Sequence, residues 1–143
     1  MRNATGWLLA TIMLPVPVLL ETPPCTHAKL GSAEVEIGRK VSAITDDSRV
    51  PVVKVSAALD KLAAEASAGG ANAVVLRSHQ GVYFTHNGRR SSGPVYIRLV
   101  GALVRLPEDT APCRLVHVDA DEIERRMRSR RPQEASYSDA YAR

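Results

Sequence analysis

The sequence predicts an α+β domain: a small three- to four-stranded, mainly antiparallel sheet packed by one Ala-rich helix, with a further helix toward the C-terminus. Three observations carry this. Apolar residues recur at three- and four-residue steps from about Val52 to Ala68, the glycine pair Gly69 and Gly70 follows, and two β-type runs come next, one from Ala73 and one from Val95 to Leu106. A helix followed by consecutive strands gives segregated α+β order rather than alternating βαβ units.

The chain of 143 residues suits one domain, and it contains no internal repeat. Its hydrophobic content of 45% can supply a core, yet Trp7 and Phe84 are the only Trp and Phe, so the core rests on Val, Leu, Ile and Ala. A core so poor in aromatic area gains from a covalent staple. The net charge of +4 is modest but uneven, because Arg125, Arg126, Arg128, Arg130 and Arg131 crowd together. This is a local basic patch on a chain that is otherwise no polycation, and it argues against a dedicated nucleic-acid binder.

Gly6 to Leu20 is an uncharged apolar run of 15 residues, preceded by Arg2 and followed by Glu21. It falls short of the ~20 residues a spanning helix needs, and Pro15 and Pro17 would interrupt a helix, so the run reads as an export signal; a buried N-terminal element is the competing reading. The chain then divides into a signal peptide or N-terminal hydrophobic segment (1–28), an α+β domain (29–118) and a C-terminal basic helix with its tail (119–143). Cys25 has three fates. Cleavage after Thr26-His27-Ala28 discards it, lipoprotein processing makes it the first residue although Pro23 and Pro24 precede it, and retention in an oxidising compartment pairs it with Cys113. Such a disulfide, spanning 88 positions, stabilises by roughly 4 to 5 kcal/mol through the entropy of the unfolded chain.

Ala33 to Thr45 reads as a strand, with Val35, Ile37, Val41 and Ala43 on one face and Gly38 marking a bulge. Asp47 or Ser48 is placed to cap the following helix, whose face of Val55, Ala58, Leu59, Leu62, Ala63 and Ala66 turns to the sheet. One of Gly69 and Gly70 closes it in the left-handed conformation; a phosphate-binding loop would precede a helix rather than follow it. The β run from Ala73 continues to Phe84, and Thr85 to Pro94 reads as a long, mobile hairpin loop before the run to Leu106. In that last run Val95, Ile97, Leu99, Gly101 and Leu103 share a face, and the opposite parity is apolar enough to be buried over its far half. Cys113 to Val118 suggests a short edge strand. Asp119 then caps a helix, with Glu122 three residues on and Val118 set to staple onto Ile123; acids precede arginines as the helix dipole favours. Gln133 to Arg143 reads as a frayed tail.

The order of strand, Ala-rich helix, Gly69-Gly70-Ala71-Asn72-Ala73-Val74-Val75 joint, strand, loop and a final strand with Val100-Gly101-Ala102 and Leu106 resembles the small domain of the RcsF-like envelope proteins and the YbjQ-like family. Leu59, Leu62, Ala63 and Ala66 belong to the same pattern, which spans roughly Val35 to Leu106. The RcsF-like resemblance implies an exported, non-catalytic envelope protein of the periplasm or outer membrane, acting through contact with an envelope protein partner in stress sensing or signalling. The YbjQ-like resemblance implies instead an oligomeric domain that binds a small ligand or metal. Neither brings a functional residue to a position of this chain, and the RcsF-like domain uses four cysteines where this chain has two.

No catalytic residue, metal ligand or cofactor is assigned. Cys25, His27, His79, His86, Cys113 and His117 are ligand types, but their only close spacings are 25 to 27 and 113 to 117. A Cys113 and His117 nucleophile pair is set aside because the two lie too far apart along a strand, and no G-x-S-x-G, H-E-x-x-H or phosphate-loop pattern is present. The arginine cluster can meet an acidic partner or an anionic membrane surface; aromatic interleaving for single-stranded nucleic acid is lacking. The partner-contact candidates are therefore His86, Arg89 and Arg90 on the hairpin loop and Arg125, Arg126, Arg128, Arg130 and Arg131 on the last helix.

Overall fold

The fold is that of a computed structural model, and the structure describes residues 16–40, 51–86, 89–129 and 133–136. Its elements are β1 (Val18–Leu19), β2 (Ala28–Gly38), α1 (Val55–Ala68), β3 (Ala73–His86), β4 (Arg89–Arg90), β5 (Tyr96–Arg105), a 3-10 turn (Ala111–Cys113), α2 (Ala120–Ser129) and β6 (Gln133–Ser136). The class is α+β as the sequence predicts. Four strands run in the order β1-β3-β5-β2, with β3/β5 and β2/β5 antiparallel and β1 parallel to β3; β4 and β6 add to β3.

Helix α1 buries Val55, Ala58, Leu59, Leu62 and Ala66, the apolar stripe of the sequence. Its alanines let the helix lie close to the sheet, and Gly101 of β5 lets it lie closer still: a Cβ there would come 2.5 Å from Val74 and 3.2 Å from Leu62. The helix begins three residues later than the pattern suggests. Pro51 to Lys54 stay outside it, and the Val53 N–H donates to the Pro94 carbonyl (2.8 Å), which ties this stretch to the chain entering β5. Lys54 occupies the N-cap without a side-chain bond; the expected caps Asp47 and Ser48 lie outside the described residues. At the other end only Gly70 turns left-handed (φ 84°). Its N–H donates to Ser67 and that of Ala71 to Ala66, both at 3.0 Å, so the last carbonyls of the helix are satisfied by the two-bond glycine cap.

The Gly69 to Val75 joint is clamped by the end of β5. Asn72 continues the ladder with its side chain: Oδ1 accepts from the Leu106 N–H (2.6 Å) and Nδ2 donates to the Leu106 carbonyl (3.1 Å). Arg105 donates to the Gly70 carbonyl (3.2 Å). The joint thus joins helix and sheet end to end.

Several expected local features move. Gly38 ends β2 at φ 92° rather than forming a mid-strand bulge, and a Cβ there would strike the Val95 carbonyl. The bulges fall at Leu30 in β2 and at Arg77 in β3. Residues 41–50, the far half of the expected first strand, lie outside the described residues. Cys113 to Val118 is not a full strand. After the 3-10 turn, Val116 to Val118 pairs with Val18 to Leu20, through Leu20 N to Val116 O (2.8 Å) and Val118 N to Val18 O (2.9 Å). Gln133 to Ser136, read as the start of a frayed tail, is strand β6, paired in parallel with Val82 to Thr85. Its sequence, QEAS, has no apolar alternation, so its pairing arises from where α2 delivers the chain.

The sheet has two buried faces. Against α1 and α2 lie Val35, Val74, Leu76, Ile97, Leu99 and Leu103, together with Leu62, Ile123 and Met127. On the other face Ala73, Val75, Val104 and Leu106 are covered by Leu19, with Cys25, Leu115 and Ala102 packed against them. The far half of β5 is buried on both sides, as its sequence predicts. The covering residues Leu19 and Cys25 come from the segment Val16 to His27, which packs as part of the domain.

Candidate contact surface

The hairpin of β3 and β4 is shorter than a ten-residue loop. Thr85 pairs with Arg90 and His86 with Arg89, leaving Asn87 and Gly88 between them, and Asn-Gly is the dipeptide that favours two-residue hairpin connections. Behind it, Ser91 takes over strand bonding: its N–H donates to the Phe84 carbonyl (2.7 Å), and its Oγ accepts from the Phe84 N–H (3.0 Å) and donates to the Gly93 carbonyl (2.7 Å). Ser91 thereby fixes the return from β4 toward β5. Arg90 lies 5.2 Å over the Tyr83 ring, a cation–π distance.

Helix α2 forms as its sequence directs. The Asp119 carboxylate accepts from the Asp121 N–H (3.1 Å), and Val118 and Ile123 share the main core. Ile123 and Met127 are buried, and Met127 seats on Gly81 of β3, where a Cβ would lie 2.8 Å from its sulfur. Glu122 does not close a capping box. Its carboxylate instead takes Arg126 (2.8 Å), and Glu124 takes Arg128 (3.1 Å), both in the favoured order of acid before base at i, i+4. These pairs are half exposed, worth a few tenths of a kcal/mol each, and leave the helix face basic.

The two sequence candidates meet. Arg128 donates to the Ser92 carbonyl just behind the hairpin, joining α2 to the β4–β5 connection. The contact ties α2 to the return from the hairpin, and Arg89, Arg90, Arg125, Arg126 and Arg128 are all exposed. The His86 side chain, Arg130 and Arg131 lie outside what is described. Nothing in the sequence links Arg128 to Ser92, 36 positions away; only the crossing of α2 over β3 does.

Cys25 and Cys113 form a disulfide, with their Cα atoms 4.6 Å apart. Both sulfurs are therefore committed to each other and neither is a thiolate ligand or nucleophile. Among the described residues no group of three His, Cys, Asp or Glu side chains is placed to hold a metal ion. His27 bonds the Cys25 carbonyl through Nδ1 (2.8 Å), and His117 sits exposed beside a shallow groove of about 250 Å³ between β1 and α1, with Val16, Val18, Leu59 and Asp60 among its walls.

A second polar cluster, unmarked in the sequence, lies on the sheet face away from α1. Arg98 forks onto Glu34 with both bonds at 2.7 Å, and the Tyr96 hydroxyl donates to Glu36, which also meets Lys40 at 3.2 Å. The Arg98 bond holds the Glu34 carboxyl below its ordinary range, and the Tyr96 and Lys40 contacts do the same for Glu36. Burial, reinforced by the Glu36 carboxylate, pushes Tyr96 up to about 12. Strand alternation gives these residues a common face, but the β2/β5 register is needed to bring them side by side. This cluster cross-links two strands. Lys61 of α1 completes the protection of β2 by donating to the outward Glu36 carbonyl (2.8 Å), which blunts an edge open to strand addition.

Among the described residues no helix is long and apolar enough to cross a membrane. No protein-family model matches this chain, and no curated protein matches it.

Proposed function

We propose that the protein is an exported, non-catalytic component of the cell envelope, in the periplasm or at the outer membrane, that acts by docking an acidic surface of an envelope protein onto the arginine-bearing face of α2 and the β3–β4 hairpin. The Arg128 contact with Ser92 carries this reading, because it ties the basic helix to the return from the arginine-bearing hairpin. Exposed arginines such as Arg89 and Arg125 suit recognition of carboxylates, because a guanidinium can fork onto an acidic side chain. The disulfide supports an oxidising compartment, where such bonds persist. Export in this reading retains the chain from Val16 onward, since Leu19 and Cys25 belong to the fold. Stress sensing of the RcsF-like kind is the role such a docking protein would play.

The test is cross-linking in intact cells after fractionation, comparing the native chain with Arg89→Glu combined with Arg125→Glu, two exposed positions whose reversal leaves the core untouched. An envelope protein linked through its own acidic residues, and lost on reversal, supports the proposal. Linkage at unchanged yield in the reversed variant, a cytoplasmic chain, or reversal-sensitive binding to phosphatidylglycerol vesicles with no protein partner overturns it.

A further inference from the structure

We propose that the Cys25–Cys113 disulfide is a redox latch: a dithiol reductant opens it, and the segment Val16 to His27 then lifts from the sheet and bares the apolar face beneath while the α1 side stays folded. The cover over that face is unlike the one opposite. The cluster of Leu19, Ala73, Val75, Val104 and Leu106 includes no residue of α1 or α2; it is closed by Leu19 and Cys25 from the short β1 segment, whose Val16, Val18 and Leu20 pack half-buried on the α1 side, and by Leu115 from another stretch. Beyond the disulfide, few bonds hold that roof. β1 is two residues long and pairs in parallel with β3, Val18 beside Val74 and Leu19 beside Val75; outside that ladder the segment's backbone bonds are Val74 N to Pro17 O (3.1 Å), Leu20 N to Val116 O (2.8 Å) and Val118 N to Val18 O (2.9 Å). Two of these three join the segment to the stretch that the disulfide also ties down, so the two strips lean on each other as well as on the sheet.

The two sulfurs differ in access, since Cys113 is fully buried and Cys25 is half-buried. A thiolate of the reductant attacks Cys25 Sγ, the protein S–S bond breaks, and its electron pair leaves on Cys113 Sγ, which takes a proton. The reductant's second thiolate then attacks the mixed disulfide at the reductant's own sulfur, closing an internal disulfide and releasing Cys25, which takes a second proton. The protein gains two electrons and two protons, and the dithiol is oxidised to its disulfide. What is exposed is a patch of Ala73, Val75, Val104 and Leu106, small branched and aliphatic side chains on a rigid sheet.

Hydrogen–deuterium exchange on the oxidised full chain, before and after native dithiothreitol, tests this, with thiols counted by alkylation and intact mass. The expected result is a rise of about tenfold or more in exchange over residues 16–27, 73–75 and 113–118, with residues 55–68 changing less than about twofold, reversed on reoxidation. A rise shared by all peptides makes the bond a global staple and overturns the latch. No rise after two thiols appear overturns it, and so does a bond that excess dithiothreitol fails to reduce without denaturant.

Discussion

The two faces of the sheet are closed by different means, one along its length and the other only over its far half. On one, α1 and α2 lay regular apolar stripes across β3 and β5, with Leu62 fully buried; on the other, Leu19 is just as buried, yet the cover is the two-residue strand β1 and the irregular stretches around it, tied by a disulfide. A helix satisfies its own backbone and can therefore cover a sheet with weak dependence on its neighbours. An irregular segment must borrow hydrogen bonds and gains far less per residue ordered, so a covalent tie offsets part of its entropy cost. A core short of aromatic residues thus carries its cystine on the side that no helix covers.

The largest break in the comparison is loss of the tie. Cys25→Ser with Cys113→Ser is expected to lower the free energy of unfolding by roughly 4 to 5 kcal/mol, read from the urea midpoint with the slope checked for a changed denatured state. A loss below about 1 kcal/mol would mean that the second face stands without its staple. Next come two leucines of equal burial. Leu62→Ala is expected to cost about 3 to 4 kcal/mol, because Leu62 packs on Gly101 beneath a helix that cannot collapse into the void, whereas Leu19→Ala is expected to cost about 2 kcal/mol since its two-residue edge strand can relax. Equal losses in chemical denaturation would remove the distinction between the faces.

The smallest effect concerns the polar middle of the second face. Glu34 and Glu36 are held below the ordinary carboxylate value of 4.5, so their contribution is present above that pH and fades as acid protonates them. Tyr96 runs the other way: raised from 10.0 to about 12, it favours the fold in its neutral form, and this contribution is lost as pH climbs through that window. Melting curves across pH should therefore droop at both ends, with Tyr96→Phe flattening the alkaline limb. An unaltered alkaline limb in that variant would detach Tyr96 from the β2–β5 contact.

Much of the first face was legible in the chain. The stripe from Val55 to Ala66, the stop at Gly69 and Gly70, the alternation of β5 and the Asp119 cap all depend on neighbours within a few residues, where period and backbone preference speak directly. The arginines of the contact surface were visible as types, and Arg126 and Arg128 keep the i, i+4 partners their spacing offers. Their union with the hairpin was not, since Ser92 and Arg128 meet only because α2 crosses β3 and seats Met127 on Gly81. The place of Val18 to Leu19 was hidden for a related reason: an apolar run announces burial but not the strand it will join.

By itself, then, the sequence determined the α+β class, the elements with strong local periodicity, and the two cysteines available for pairing. The tertiary contacts settled that β1 and β6 line the same edge of β3, that Asn72 lengthens the ladder to Leu106, and that α2 meets the return from the hairpin through Arg128 and Ser92. The division follows range: local periodicity acts between residues a turn or a pleat apart, whereas register and crossover emerge only when distant segments compete to bury the same apolar area.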